Sequence, residues 1–569
     1  MANLGVVPGH AGPSTSGALL RRALRRRRRS LAGAAALITQ WQICEALVPV
    51  AIGITIERAV STGRLSELVL CGAGMSLLFV VLSLSYRFGS RIGLRAVQLE
   101  THELRTEVTA HVLRPDGART DRLAGDLLTV ATSDAEHVGE LVRQVVTTIG
   151  AVVGLLVAAV ALAVIDPVIA LVVLVGVPLV MGVSHVLSGP LARRSRVRQE
   201  ALGRATGLAA DLLRGLRPLK GIHAEQVALS RYRTTSRVAA RASVRAGRWE
   251  GVLEGSTLGL SGLFLAVVAL LAGFRALDGE LSVGGLVAVL GLAQYVAEPM
   301  GILAFTIAQF AEARASADRV VEVLGTPPLV HEGDALPQDP PVLAFEDVTD
   351  GPLTGVTWTA GPGEMVALVM EDPADAEATM RLLRGERRPD AGRVSLGGVS
   401  LVDCRLDALR ARLLVVDHHT DLFEATLRDN LDPTGRLDDR ALASVLAASA
   451  VDEVAEHLAG GLDEMVGADG VTLSGGQRQR LTLGRALAVD APVMVLHDPL
   501  SSVDSVTEDR VAVAVAEQRR DRVTVVITSS PAVASRADRV VHLRAGRVVA
   551  SGTHAELVRS EAYAAAVLR

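Results

Sequence analysis

Aromatic side chains are scarce in this sequence: Phe, Tyr and Trp together make up 3% of 569 residues. Charged residues are also few, at 21%, and the formal balance of -4 says little about partners. Cysteine is limited to Cys44, Cys71 and Cys404. These make neither a disulfide framework nor a metal cluster and read as small buried hydrophobes. What fills the chain instead is aliphatic. Apolar residues reach 49% and the mean hydropathy is +0.36. That excludes a disordered or collagen-like chain, since both are poor in aliphatics. Length alone, at ~150 residues per domain, would suggest roughly four soluble domains. An excess of Ala, Val and Leu points instead to membrane helices, where small side chains let backbones approach closely.

The apolar residues are grouped. Long, mostly uncharged stretches cover 31–56, 66–86, 144–165, 168–190, 252–275 and 282–308. A bilayer core takes about 20 apolar residues per helix, so six spans are expected. Seven arginines, Arg21, Arg22 and Arg25 to Arg29, stand just before the first. Positive charge stays on the cytoplasmic side, which places the N-terminus inside. A nucleic-acid-binding tail is the rival reading of such a run. Its position beside a span favours topology or contact with anionic lipid, and no nucleic-acid partner is expected. Six spans that start inside end inside. The polar segments 87–143 and 191–250, with helical spacing, then extend as long helices into the cytoplasm. Three acids lie in apolar surroundings: Glu45, Glu254 and Glu298. Such residues are costly and often functional, so they are candidates for a substrate path. Pro299 should bend the last span.

After Ala317 the pattern changes. The divisions read from the sequence are a basic cytoplasmic N-terminus (1–30), a six-helix membrane domain (31–317), a Pro-rich linker (318–341) and an α/β domain (342–569). Strand-like runs fall at 364–370, 393–398, 413–417, 492–498, 523–529 and 540–549, with helical stretches between them. That alternation reads as one α/β domain.

Residues 473–480 read LSGGQRQR, and HDPLSSVD follows a strand-like run at 497–504. Ser474, Gly475 and Gly476 open a helix whose N–H groups and positive end can hold a phosphate. The run resembles the signature motif of ATP-binding-cassette (ABC) proteins. ATSDAEHV (131–138), LLRGLRPLKGIHAEQ (212–226), TLRDNL (426–431) and ADRVVHLRAGRVVASGTHAEL (537–557) are similar to exporter half-transporters. The resemblance covers nearly the whole chain. It implies a membrane α-helical fold with six transmembrane helices, followed by an α/β P-loop-NTPase-like nucleotide-binding domain.

Against that family pattern much is missing. A phosphate-binding loop reads G-x-x-x-x-G-K-[ST], with its lysine on phosphate and its hydroxyl on Mg²⁺. Here residues 370–378 read MEDPADAEA. Ala376 replaces the lysine and Glu377 the hydroxyl. Glu371, Asp372, Asp375 and Glu377 put four acids where a polyphosphate would sit, and like charges repel. His497 stands for the metal-linked aspartate of the Walker B strand, and Asp498 for the catalytic glutamate. His418 takes the Q-loop position. Ser529, or Ser530 in a shifted register, takes that of the switch histidine. No adenine-stacking aromatic is evident in FEDVTDGPLTG (345–355). His418 and His419 are adjacent, a poor spacing for chelation. No metal site and no catalytic residue are expected in the chain's own loop.

The signature remains intact, as does a D-loop-like Ser501-Ser502-Val503-Asp504. In the family, each ATP lies between one chain's P-loop and the other's signature. The resemblance therefore implies one subunit of a heterodimer. Ser474, Gly475, Gly476, Gln477 and Asp504 would complete a site for ATP and Mg²⁺ held mainly by a homologous half-transporter with intact Walker motifs. Export of a small molecule, lipid or peptide is the expected activity. A non-catalytic regulatory or scaffold subunit, or an importer on the same fold, is the alternative. Ala/Arg/Val-rich, lysine-poor usage suggests a GC-rich bacterial genome, and so the plasma membrane, in contact with its lipid.

Overall fold

The computed structural model describes residues 14–567 apart from 331, 419–420 and 468–469, so His419 lies outside the described residues. The chain divides into two compact units. The first holds residues 1–110 and 121–325, and the second holds 111–120 and 326–569.

The first unit is helical. A short α1 (Ser16–Arg26) precedes α2 (Arg28–Thr55), α3 (Leu65–Val112), α4 (Ala135–Ile165), α5 (Pro167–Arg214), α6 (Glu225–Leu277) and α7 (Val283–Leu324). Local chemistry sets these limits. Asp166 separates α4 from α5, and its Oδ1 accepts from the N–H groups of Val168 and Ile169 at 2.9 and 3.1 Å. Pro167 occupies the first turn, where the missing N–H costs nothing. Ser282 caps α7 by accepting from Gly285 N–H at 3.0 Å. Close approach of α2 and α7 requires glycine: a Cβ on Gly53 would lie 2.5 Å from the carbonyl oxygen of Gly284.

Five of the described helices are long and apolar enough to cross a bilayer: α3, α4 together with the helical turns from Ala124 that lead into it, α5, α6 and α7. Six spans are expected from the sequence. The first expected span, 31–56, falls on α2, which is not among those five. The 48- and 53-residue helices α5 and α6 run well past their apolar windows. One expectation changes. Helix α7 continues to Leu324, so residues 318–324 are helix and not linker. Pro299 lies within this helix.

The second unit contains an antiparallel sheet and a mainly parallel one. Strands β1 (Leu343–Asp350), β2 (Leu353–Ala360), β4 (Ala391–Leu396) and β5 (Val399–Ser400) form the first, in the order β2-β1-β4-β5. The second uses β3 (Met365–Met370), β6 (Leu413–Val416), β7 (Val493–His497), β8 (Val523–Ile527), β9 (Arg539–Arg544) and β10 (Arg547–Gly552), in the order β10-β9-β3-β8-β7-β6. The run at 540–549, read as one strand, is a hairpin. It turns at Ala545 and Gly546, whose φ angles are 47° and 70°.

Strand β3 is buried on both faces, as a central parallel strand must be. Met365, Ala367 and Val369 join one core, and Val366 and Leu368 join the other. Each fully buried aliphatic contributes about 1.5–3 kcal/mol. The Pro-rich segment after α7 is laid onto this unit. Ala335 N–H donates to Asp403 O at 3.0 Å, and Arg405 N–H donates to Ala335 O at 2.8 Å.

Candidate functional site

In a parallel sheet, ligands bind outside the carboxyl ends of the strands. Four strands end together here. Ile527 pairs with Leu368 and with His497, and Leu496 pairs with Val416. The residues that follow are therefore neighbours: Glu371 after β3, Asp417 and His418 after β6, Asp498 after β7, and Ser529 after β8. This register brings together the positions singled out in the sequence.

The loop after β3 is short. Only Glu371 and Asp372 separate the strand from helix α8 (Pro373–Leu383). Asp372 caps α8 and accepts from Ala374 N–H at 2.8 Å. Pro373 offers no donor. Glu371 lies 3.1 Å from His542 Nε2 and 3.5 Å from Arg544 Nε. Glu377 is exposed, with Arg384 at 3.6 Å. Asp375 corrects the expectation that four acids face a polyphosphate. It is buried at 1% exposure, and its Oδ2 accepts from Gly546 N–H at 3.0 Å. Burial raises its pKa, and the Gly546 hydrogen bond opposes that. Ala376 is buried in the core. The single lysine of the chain, Lys220, lies in the helical unit. The loop thus has no lysine, no hydroxyl for Mg²⁺ and no free amide cradle, and its residues do not fit a bound Mg–triphosphate.

The neighbouring strand ends agree. The His418 and His497 rings lie 5.8 Å apart. His418 Nδ1 sits 3.4 Å from the Asp498 carbonyl oxygen, and His497 Nε2 sits 3.9 Å from Asp498 Oδ2. Burial lowers the His497 pKa, and Asp498 pulls it back up. Burial thus favours a neutral imidazole at the aspartate position. No group of three His, Cys, Asp or Glu among the described residues is placed to hold a metal ion. Ser529 is exposed, and Ser530 caps the short helix α11 (Pro531–Arg536), accepting from Val533 N–H at 3.4 Å. The β1–β2 hairpin turns through Gly351 and Pro352 alone. Its aromatics, Phe345 and Trp358, stack at 4.5 Å inside the core, so neither is offered to a base.

The signature is ordered differently. Helix α9 (Gly475–Val489) opens with a reciprocal cap. Ser474 N–H donates to Gln477 Oε1 at 2.8 Å, and Gln477 N–H donates to Ser474 Oγ at 3.2 Å. The Gln477 side chain is committed to that cap. The N–H groups of Gly475 and Gly476, in the first turn, have no intrahelical acceptor. Gly476 is needed for packing as well: a Cβ there would lie 2.7 Å from Ser502 O. Asp504 caps helix α10 (Ser505–Gln518) through Thr507 N–H at 3.0 Å. That backbone bond lowers its pKa.

Sequence reasoning missed Gln479. Its Nε2 donates to Ser501 Oγ at 2.8 Å, and its Oε1 accepts from Ser502 N–H at 2.7 Å. One amide therefore ties the signature helix to the D-loop. The only signal available was a second glutamine one turn after the cap.

In the helical unit, two of the three acids come together. Glu45 on α2 and Glu298 on α7 lie close enough to repel one another. Glu45 Oε2 is buried without a hydrogen-bond partner. Beside them Tyr295 donates to Gln42 Oε1 at 2.5 Å. Glu254 on α6 is exposed and takes no part in that group.

These features define a membrane-helix bundle joined to a nucleotide-binding-type cassette. Residues 34–300 match the ABC transporter transmembrane region, and residues 353–501 match the ABC transporter cassette family. An ATP-dependent lipid A-core flippase of Thiobacillus denitrificans is 29% identical over 461 residues, 79% of this chain and 78% of that one. A mycobactin import ATP-binding/permease protein of Mycolicibacterium thermoresistibile is 30% identical over 488 residues, 83% of each chain. The fold is similar to that of a bacterial Atm1-family ABC exporter with ATP bound, with a TM-score of 0.75 at 20% identity. That likeness covers 96% of this chain and 98% of the other. The chain belongs to the ABC transporters: it is a multi-pass membrane protein of the half-transporter layout, with one transmembrane region ahead of one cassette.

Proposed function

We propose that this chain is the degenerate-cassette subunit of a heterodimeric ABC exporter in a bacterial plasma membrane, with its cassette in the cytoplasm. One observation carries the reading. The acids that replace the P-loop are satisfied within the chain, by His542, Arg544, Gly546 and the α8 amide, whereas the signature helix keeps its first-turn amides at Gly475 and Gly476. A chain that cannot hold a triphosphate in its own loop can still complete a partner's site. The partner is a homologous half-transporter with an intact P-loop, which holds the ATP and supplies Mg²⁺. The amides of Gly475 and Gly476 would stabilise charge on the γ-phosphate as water attacks it. Cassette closure would then switch the membrane cavity outward.

The cargo is a small molecule, lipid or peptide. The flippase relative favours lipid and outward movement, whereas the relative named for mycobactin import keeps uptake as the competing direction. The chain purified alone should neither bind nor hydrolyse ATP. The complex taken from native membranes should contain a second ABC half-transporter, and its ATPase should be lost on Ser474→Arg or Gly475→Asp in this chain. Robust ATPase of the pure single chain would refute the proposal, as would a complex indifferent to both variants. Inside-out vesicles of the complex should accumulate a fluorescent phospholipid when ATP is added, and failure with every cargo class tested would favour a scaffold role.

A further inference from the structure

Helix α6 has two opposite faces in the part that precedes its apolar run. On one, Ala239, Ala242 and Ala246 are buried, the first two packed with Ala201 and Ala205 of α5. On the other stand Arg233, Arg237, Arg241 and Arg245, all exposed. A spacing of four keeps them on one side of the helix, where like charges repel. No acidic residue occurs between Glu225 and Glu250 to offset them. Among the described residues no acid pairs with any of the four, and Glu250 lies 3.8 Å from Arg198 of α5.

The stripe leads away from the bilayer. At ~1.5 Å per residue, Arg245 and Arg233 stand roughly 10 and 28 Å along the helix from Val252, where the expected span begins. The headgroup layer adds only about 5–7 Å on each side of the hydrocarbon core, so lipid cannot meet all four. Val238 and Val244, 50% and 56% exposed, stand among the arginines. Exposed aliphatics mixed with arginine suit another protein's helix, where apolar contact and ion pairs form together.

Acids of the chain's own α3 are already engaged. Arg22 holds Glu107 through both nitrogens, at 2.9 and 2.7 Å. Arg26 reaches Glu103 at 2.6 Å, and Arg27 reaches Glu100 at 3.0 Å and also Glu103. Glu100, Glu103 and Glu107 form one stripe of α3, so a second copy of this chain would present that stripe paired.

We propose that the arginine face of α6 docks an acidic helix face of the second half-transporter, and that its charge selects a different chain over a copy of this one. This rests on the heterodimer reading and adds what the partner must carry: acids three or four apart on a helix that runs on from its membrane region.

The test isolates the full, tagged chain from native membranes in mild detergent. Mass spectrometry then measures how much of a second ABC half-transporter comes with it. The variant Arg233→Glu, Arg237→Glu, Arg241→Glu, Arg245→Glu should lower that recovery by about tenfold or more, since like charges facing across an interface are strongly unfavourable. Replacing the same four by lysine keeps the charge and should keep the partner. A control on exposed cassette arginines, Arg410→Glu, Arg440→Glu, Arg547→Glu, Arg559→Glu, should keep it too. Thermal melts of each variant confirm that the chain is folded. The proposal fails if the folded α6 glutamate variant retains the partner, or if the lysine variant or the cassette control loses it equally. It also fails if an oligonucleotide displaces the partner from the unaltered chain. Recovery of this chain with copies of itself alone would overturn the heterodimer reading as well.

Discussion

Gly476→Ala should separate catalysis from stability. The added Cβ would lie 2.7 Å from Ser502 O, against about 3.4 Å for ordinary contact. The D-loop must therefore retreat by about 0.7 Å, the difference between those distances. Misplacement of about 1 Å in catalytic groups costs on the order of 100-fold. We therefore expect kcat of the assembled complex to fall about 10- to 100-fold, or about 1.4–2.7 kcal/mol. Stability should move the other way or not at all. Ser502 is exposed and can shift cheaply, while alanine gains up to about 1 kcal/mol over glycine in a helix. Gly475→Ala is the internal comparison. Its Cβ would meet Ser502 Cβ at 3.5 Å, an ordinary contact, so the D-loop can stay in place. The assay is ATPase of the proposed complex of this chain with a second half-transporter, with a thermal melt run in parallel. Unchanged kcat in Gly476→Ala would refute the steric argument, as would equal loss in both variants or loss that follows a drop in melting temperature.

Gln479→Leu removes both ties between the signature helix and the D-loop, together worth about 1–3 kcal/mol; kcat should drop at least fivefold with little change in KM, and Gln479→Glu should recover most of it. Asp375 has a raised pKa through burial, so the folded chain binds the extra proton. Stability should fall as pH climbs from the unfolded carboxylate value of about 3.9 through the folded one. In melts over that range Asp375→Asn should gain on the unaltered chain, and the gain should vanish in acid. The double variant Ala376→Lys, Glu377→Ser should still fail to bind a fluorescent ATP analogue, since Asp372 and Asp375 keep their places at the head of α8.

The parts legible in the sequence were those written in local spacing. Apolar runs of bilayer length marked the long helices. The Ser474–Gln477 spacing marked the head of α9, because a reciprocal cap needs those residue types three apart. The missing lysine and hydroxyl at 376 and 377 were visible as residue types alone. What escaped depends on pairs remote in the chain. Asp375 reads as a surface acid until the β9–β10 turn delivers Gly546 N–H to it, 171 residues later. The arginine run reads as uniform until the α3 stripe claims three of its members. Gln479 reads as a helix-surface residue until Ser501 and Ser502 fold back on it. The Gly53–Gly284 contact shows the same limit, since neither glycine is in a turn or has a positive φ.

The remote pairs also bear on the proposal that the chain's own loop holds no nucleotide. Acids without partners at the sheet edge would repel one another. Instead Glu371 is held by His542 and Arg544, Asp372 caps α8, and Asp375 takes up a backbone N–H that would otherwise be buried without a partner. Removing the Asp375 carboxyl would strand that N–H at about 1–3 kcal/mol. The loop at 371–377 is therefore part of the cassette's structure, with contacts to the β9–β10 hairpin. On the proposed reading, giving this loop a nucleotide site would take changes at both 371–377 and 542–546 together. The signature end is held differently: its cap is local, Gly476 keeps the D-loop close, and Gln479 holds the two together. Under the proposed heterodimer the two edges have different tasks: the loop edge is held by contacts within the chain, and the signature edge is left to complete the partner's site.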